Sequence, residues 1–374
     1  MTTSLDLREL CAQKLLAAAG RAGGLSAFVG LDGFVDEILH VVDKRMDAGN
    51  YERVPTIARL AERIAEASGK STNIELVKQF TKLGGNGPIM ANALASFGLK
   101  VTYLGNLGYP HLHPVFDEFA TRAEVHSIAE PGHTDALEFE DGKIMLGKHT
   151  SLKDVNWPNI ESRFGRDAFA AKFQSCDLIA FVNWTMIPYM SDIWEALQRE
   201  LCPNLTGPRR KMFFDLADPE KRTAGDIVRA LELMALFEKQ FDVMLGLNEK
   251  EANEIGEVLG LNRKAHSTEA WSILARELRA KLPVGTIVIH PVSYALAVGG
   301  DSVDVVKGPY ISRPKITTGA GDHFNAGFCL GKLLGLDNSM SVLTGVATSG
   351  FYVRSARSPS ITELAEFLRK WPGK

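Results

Sequence analysis

Two glycines and an alanine precede a helical pattern in Ile316-Thr317-Thr318-Gly319-Ala320-Gly321-Asp322, which runs straight into His323-Phe324-Asn325-Ala326-Gly327-Phe328. Bare backbone at a helix start leaves N–H groups pointing outward, and the helix dipole adds partial positive charge, so Gly319, Ala320 and Gly321 form a candidate anion hole. An aspartate in the same turn repels a passively bound phosphate. It makes chemical sense if the anion is a phosphoryl group in transfer and Asp322 accepts the proton of the attacking hydroxyl. Asp322 is therefore the candidate general base, and Thr318 belongs to the same phosphate-facing turn.

A second glycine site, Gly84-Gly85-Asn86-Gly87-Pro88, leads into a helical stripe through Ala91, Leu94 and Ala95. Gly84 and Gly85 let a ligand approach the backbone, Asn86 both donates and accepts, and Pro88 suits a first helical turn. Asn248 and Glu251, three apart after an apolar run, fall at the carboxyl edge where α/β sheets bind ligands and also match a capping box. Asp32 and Asp36 follow the first apolar run. A carboxylate there can grip adjacent hydroxyls through charge-assisted hydrogen bonds, while Asp32 can equally cap a turn. Lys221 and Arg222, near Asp218-Pro219, face the same choice between phosphate contact and a helix start. His111 and His113 lack a third ligand nearby, so no directly bound metal is assigned. Trp184 fits substrate stacking or core packing.

Taken in order, Gly84-Gly85-Asn86-Gly87, Asn248-Glu249-Lys250-Glu251 and Thr317-Thr318-Gly319-Ala320-Gly321-Asp322 resemble the signature of the ribokinase-like (PfkB) carbohydrate kinases, over most of the chain from about Phe28. The resemblance implies an ATP-dependent kinase that phosphorylates a hydroxymethyl group of a sugar, sugar derivative or nucleoside. Asp322 would then be the base, the amides from Gly319 to Asp322 the anion hole, and Asn248 and Glu251 the groups that orient Mg²⁺ and its waters. Asp36 is the positional match to the family's substrate aspartate, and ATP and Mg²⁺ are the implied cofactors. A non-catalytic binder that kept the fold is the alternative, although a binder has no need of a base.

The chain also departs from that pattern. Ile316 stands where these kinases carry an aspartate that helps bind a monovalent cation, which implies turnover without potassium. His290-Pro291-Val292-Ser293-Tyr294-Ala295 occupies the place of a glycine-rich nucleotide loop, and Pro291 removes an amide there. Ile89 replaces the asparagine of the ribokinase pattern.

The elements that must hold these residues read as alternating strands and helices. Apolar runs at 26–31, 101–104, 178–182, 211–214, 243–245 and 286–289 alternate with helical patterns at 193–201, 224–237, 267–281 and 322–334, after an amino-terminal helix over 1–22. This predicts an α/β fold with a doubly wound, mostly parallel sheet. A charged helix at 56–67, an exposed strand at 74–77 and a hairpin about Asp141-Gly142 fit outside that sheet. The expected organisation is a main domain over 1–37, 81–133 and 149–374, with a small β-containing lid from 38–80 and 134–148. Pairing of lid strands between copies would give a homodimer.

Composition narrows the partners. The 374 residues are 45% hydrophobic with a formal net charge of -3, which excludes a largely disordered chain and gives no basic excess for nucleic acid. Four scattered cysteines read as reduced thiols. No run of about 18 apolar residues suggests a membrane span, so the chain reads as cytoplasmic.

Overall fold

The structure, a computed structural model, describes residues 4–261, 264–300 and 302–371. The expected helix start at 1–3 and the last three residues of the expected main domain lie outside them. In chain order the strands are β1 (Ser26–Leu31), β2 (Phe34–Arg45), β3 (Tyr51–Arg53), β4 (Leu76–Gly84), β5 (Lys100–Gly105), β6 (Glu124–Ser127), β7 (Gly132–Glu138), β8 (Lys143–Lys148), β9 (Leu178–Val182), β10 (Arg210–Asp215), β11 (Phe241–Leu247), β12 (Thr286–Ile289), β13 (Tyr294–Gly299) and β14 (Ser302–Lys307).

Nine strands form one sheet in the order β14-β13-β12-β11-β10-β9-β1-β5-β6. From β12 to β6 every pairing is parallel, and β13 and β14 close one edge antiparallel. Side chains alternate between two cores. Ile179, Phe181, Phe214, Val243, Leu245 and Ile287 face one, and Ala180, Phe213, Met244 and Val288 face the other. Strands buried on both faces carry no polar alternation, which is why they read as continuous apolar runs.

Helices Met190–Glu200, Ala224–Phe237 and Thr268–Lys281 cover the first core. Helices Ser4–Ala22, Asn86–Ser96, Ala320–Leu333, Asn338–Ser355 and Ile361–Arg369 cover the second. The doubly wound expectation holds, with helices on both faces. Among the described residues no helix is long and apolar enough to cross a membrane.

The remaining five strands make the smaller sheet, in which β2 pairs with β3, β4 and β7, and β7 with β8. It draws on 34–45, 51–53, 76–84, 132–138 and 143–148, against lid segments expected at 38–80 and 134–148. The strand expected at 74–77 runs instead over Leu76–Gly84, held by β2 across a register shift between Ile38 and Leu39. One face packs Leu39, Val41 and Leu137 against Leu60 of the helix Ile57–Glu66. The Thr56 hydroxyl caps that helix by accepting from the Arg59 amide at 3.1 Å.

Candidate active site

Six parallel strands deliver polar residues to one edge. Asp32 follows β1, Asn106 follows β5, Asn183 follows β9, Asp215 ends β10, Asn248 follows β11 and His290 follows β12. This is the carboxyl edge, where open α/β sheets bind ligands. Backbone strain concentrates there, with Asn183, Ala217 and Asp218 at φ near 60°.

Asp322 is the third residue of Ala320–Leu333, a helix that begins after Gly319 at φ 90°. Its carboxyl is buried and accepts from Asn86 Nδ2 at 2.9 Å. Burial pushes its pKa up to about 7, opposed by the Asn86 bond and reinforced by the charges of Asp32 and Glu251. That value suits a base working near neutrality. Among the described residues, the Gly319 and Gly321 amides donate to no protein acceptor, whereas the Ala320 amide bonds the Thr317 carbonyl at 3.1 Å. Of the Gly319, Ala320 and Gly321 amides, the first and last are thus free and the middle one closes a local turn.

The glycine turn at 84–87 is held from behind. Asp32 has no exposed surface; its carboxylate accepts from the Asn86 amide at 2.9 Å, the Gly87 amide at 2.8 Å and Asn183 Nδ2 at 2.7 Å. The Tyr103 hydroxyl bonds the Asp32 carbonyl. Of the two readings left open, the geometry favours Asp32 as an anchor of the turn. Burial still pushes its pKa up to about 6. A Cβ on Gly87 would lie 2.6 Å from Asp32 Oδ1, and one on Gly84 would lie 2.5 Å from the Asp36 carboxyl, so both positions need glycine for close approach.

Asp36 sits on β2, in register with Lys82 of β4 and Thr134 of β7, and is 5% exposed. Burial raises its pKa, opposed by the Lys82 charge and by a Thr134 hydrogen bond.

Asn248 and Glu251 form a complete capping box on the helix Glu249–Val258. The Glu251 carboxylate accepts from the Asn248 amide at 2.9 Å and from the Asp218 amide at 3.0 Å. Asp215 accepts from Asn325 Nδ2 at 2.7 Å and the Ala217 amide at 2.9 Å. Burial raises both acids; the Asp215 charge adds to the effect on Glu251, and the Asp322 and Asp32 charges add to that on Asp215. Buried carboxylates short of positive charge, with asparagine oxygens among them, are the hard oxygen donors that suit a water-rich Mg²⁺. The Asn325 Oδ1 atom beside them is buried without a partner. Among the described residues no three acids, histidines or cysteines converge as a chelating set, so the donors fit an ion held largely through its waters.

Some sequence candidates take structural places. Trp184 is fully buried with Nε1 donating to Ser191 Oγ at 2.9 Å, so the core reading wins. Arg222 lies over the Trp184 ring at 4.8 Å and donates to the carbonyls of Trp184, Thr185 and Ile187. Lys221 pairs with Asp218 at 3.1 Å. His113 Nδ1 accepts from the Val115 amide at 3.2 Å and caps a short turn.

Other residues escaped the sequence reading. Asn183, Asn325 and Tyr103 carry no motif. His290 was visible only as a break in a glycine loop, yet its ring packs on Phe324 at 4.7 Å between centroids and lies 3.5 Å from where a Gly321 Cβ would be. Burial lowers its pKa to about 4, so a neutral imidazole flanks the anion turn.

Against known proteins, a family model described as prokaryotic ketohexokinase matches residues 8–371. The chain belongs to the prokaryotic ketohexokinase family. A ketohexokinase of Haloferax volcanii is 30% identical over 367 residues, covering 98% of this chain and 96% of that protein. Among solved structures, Arabidopsis thaliana ribokinase superposes with TM-score 0.63 at 15% identity, over 92% of this chain and 98% of that one. Escherichia coli phosphofructokinase-2 gives 0.62 at 12%, over 93% and 99%. The fold is ribokinase-like, and family membership makes the chain a carbohydrate kinase, a phosphotransferase with an alcohol acceptor.

Proposed function

We propose that the protein transfers the γ-phosphoryl group of ATP to a hydroxymethyl group of a ketohexose, with Asp322 as general base. The observation that carries the reading is the meeting of Asp322 and Asn86 at 2.9 Å, on a helix start that offers the free Gly319 and Gly321 amides. The name of the 30%-identical relative supports a ketohexose over a nucleoside.

In the reaction, the Asp322 carboxylate takes the hydroxyl proton as the substrate oxygen bonds to the γ-phosphorus. The bond from that phosphorus to the β–γ bridging oxygen breaks, and ADP leaves with the electron pair. The Gly319 and Gly321 amides stabilise charge on the transferring oxygens. Asp36 and the glycine turn at Gly84-Gly85-Asn86 orient the sugar, and the smaller sheet excludes competing water. Asp215, Asn248 and Glu251 are the residues that would hold Mg²⁺, and the ion would supply charge neutralisation for the phosphates. Exposed Phe80, Met145 and Leu146 on the smaller sheet support its pairing in a homodimer, which sedimentation over a concentration series tests.

The deciding experiment is ADP release with ketohexoses, aldohexoses, sugar acids and nucleosides, beside Asp322→Asn. Turnover with ketohexoses that vanishes in the variant is expected. Preference for a nucleoside or an aldohexose would overturn the substrate, and undiminished turnover by the variant would overturn the base.

A further inference from the structure

The two peptide planes that flank Gly319, at the start of the anion turn, are held through their carbonyls. In a trans peptide the carbonyl of one residue and the N–H of the next point in opposite directions across one plane. Fixing the Thr318 carbonyl therefore aims the Gly319 N–H, and fixing the Gly319 carbonyl fixes the plane that follows it.

Both carbonyls accept from side chains of other segments or the next turn, and the Gly319 carbonyl also accepts from the His323 backbone amide at 3.1 Å. The Tyr352 hydroxyl, from the helix Asn338–Ser355, donates to the Thr318 carbonyl at 2.9 Å. His323 Nδ1 lies 2.7 Å from the Gly319 carbonyl oxygen, and its Nε2 lies 2.8 Å from Ser358 Oγ. A carbonyl only accepts, so Nδ1 carries the proton and Nε2 accepts from the Ser358 hydroxyl. Burial lowers the His323 pKa to about 4, consistent with this single neutral tautomer. The two rings also stack, with centroids 3.6 Å apart and planes 13° from parallel. Gly319 at φ 90° is the flexible joint being held, and a Cβ there would come within 3.2 Å of both Tyr352 Oη and Ile89 Cγ2.

We infer that His323, with Tyr352 and Ser358, is a positioning residue for phosphoryl transfer: Tyr352 fixes the plane that carries the Gly319 N–H, His323 fixes the next plane at the Gly319 joint, and together they set the helix start that presents the Gly319 and Gly321 amides before the transferring group arrives. None of the three supplies a proton or touches the sugar. Their contribution is preorganisation, which acts on the transition state more than on ground-state binding. The inference rests on the kinase reading above.

The test separates the ring from its hydrogen bonds. His323→Phe keeps a ring on Tyr352 and loses both polar contacts, whereas His323→Asn keeps a donor close to the Nδ1 position. His323→Phe is expected to lower kcat for ketohexose phosphorylation by about tenfold to a hundredfold, with the ketohexose KM and melting temperature little changed. His323→Asn restores most of the rate, and Tyr352→Phe and Ser358→Ala give smaller losses of the same kind. Full kcat in His323→Phe, or a loss that appears in the ketohexose KM or follows the melting temperature without rescue by asparagine, overturns the inference.

A second measurement needs no sugar turnover. Aluminium fluoride, a phosphoryl mimic, should tighten ADP binding in the unaltered protein and in His323→Asn but not in His323→Phe. Equal tightening in all three also overturns the inference. Absence of ketohexose turnover in the unaltered protein would instead sink the substrate reading, leaving this binding comparison to decide the positioning role.

Discussion

Asn86 Nδ2 donates to Asp322 Oδ1 at 2.9 Å, tying the turn that begins one helix to the first turn of another 236 residues later. The bond directs one carboxylate oxygen to the asparagine and leaves the other to meet the acceptor hydroxyl in the proposed reaction. It also favours the ionised form and so opposes the burial that raises Asp322. Asn86→Ala should therefore move the acid limb of the kcat/KM profile to higher pH and lower kcat at pH 7. A midpoint that stays in place or falls would show that Asn86 does not tune the base.

The buried acids make activity and stability run in opposite directions with pH. Asp32 is raised to about 6 and Asp322 to about 7, and Asp215 and Glu251 are raised as well, all chiefly by burial. Unfolded, these groups titrate near pH 4. Between that value and their raised ones the folded chain holds more protons than the unfolded chain. Their contribution to stability is therefore fully present below the unfolded values and is lost as pH rises through about 6 to 8. With Asp322 as the proposed base, activity should rise through about pH 7. Glu251→Gln, which removes one of these titrations, should flatten the fall in melting temperature between pH 5 and 8. Thermal scans at fixed ionic strength check this, and an unchanged slope would count against Glu251 as a source.

How much of this was legible in the chain follows from where the information lies. Asp322 could be read because bare backbone, an acid and a helix start are contiguous. The large sheet could be read because strands buried on both faces leave unbroken apolar runs. The parallel pairing of β2 with β7 could not, since alternation within a strand does not name its neighbour. Leu76–Gly84 was seen only at its start because Lys78, Gln79 and Lys82 interrupt the apolar pattern of an edge strand. Asp215 was visible as the end of a strand, but its approach to Asp322 and Glu251 is set by sheet order. For Asp32, a glycine turn beside an acid does not show which side of the turn the acid occupies.

The two aspartates after β1 should separate cleanly on mutation. Asp32 anchors three donors with no exposed surface, and Asp32→Ala would leave them without an acceptor. Loss of such a buried charge-assisted network costs about 2–4 kcal/mol, so that variant should unfold at markedly lower urea. Asp36→Asn keeps its shape beside Thr134 and Gly84 and should stay folded while raising the ketohexose KM. Denaturation midpoints and KM values for both variants check the pair. An Asp36→Asn protein with unaltered KM would remove Asp36 from the sugar site.

Turnover should not depend on potassium. Ile316 offers no side-chain oxygen where the family resemblance implies a cation-binding aspartate. Two neighbouring carbonyls of that turn, those of Thr318 and Gly319, are already bonded to Tyr352 and His323. A cation seated there would have to displace hydrogen bonds that hold the anion-hole planes in place. Rates in sodium, potassium and tetramethylammonium chloride at equal ionic strength should therefore agree within about twofold, a barrier difference of about 0.4 kcal/mol. Ile316→Asp tests the same point from the other side: with both carbonyls still occupied, the added carboxylate should not by itself create potassium activation. A many-fold rise with potassium in the unaltered protein would mean that the carbonyls exchange their side-chain partners for the ion.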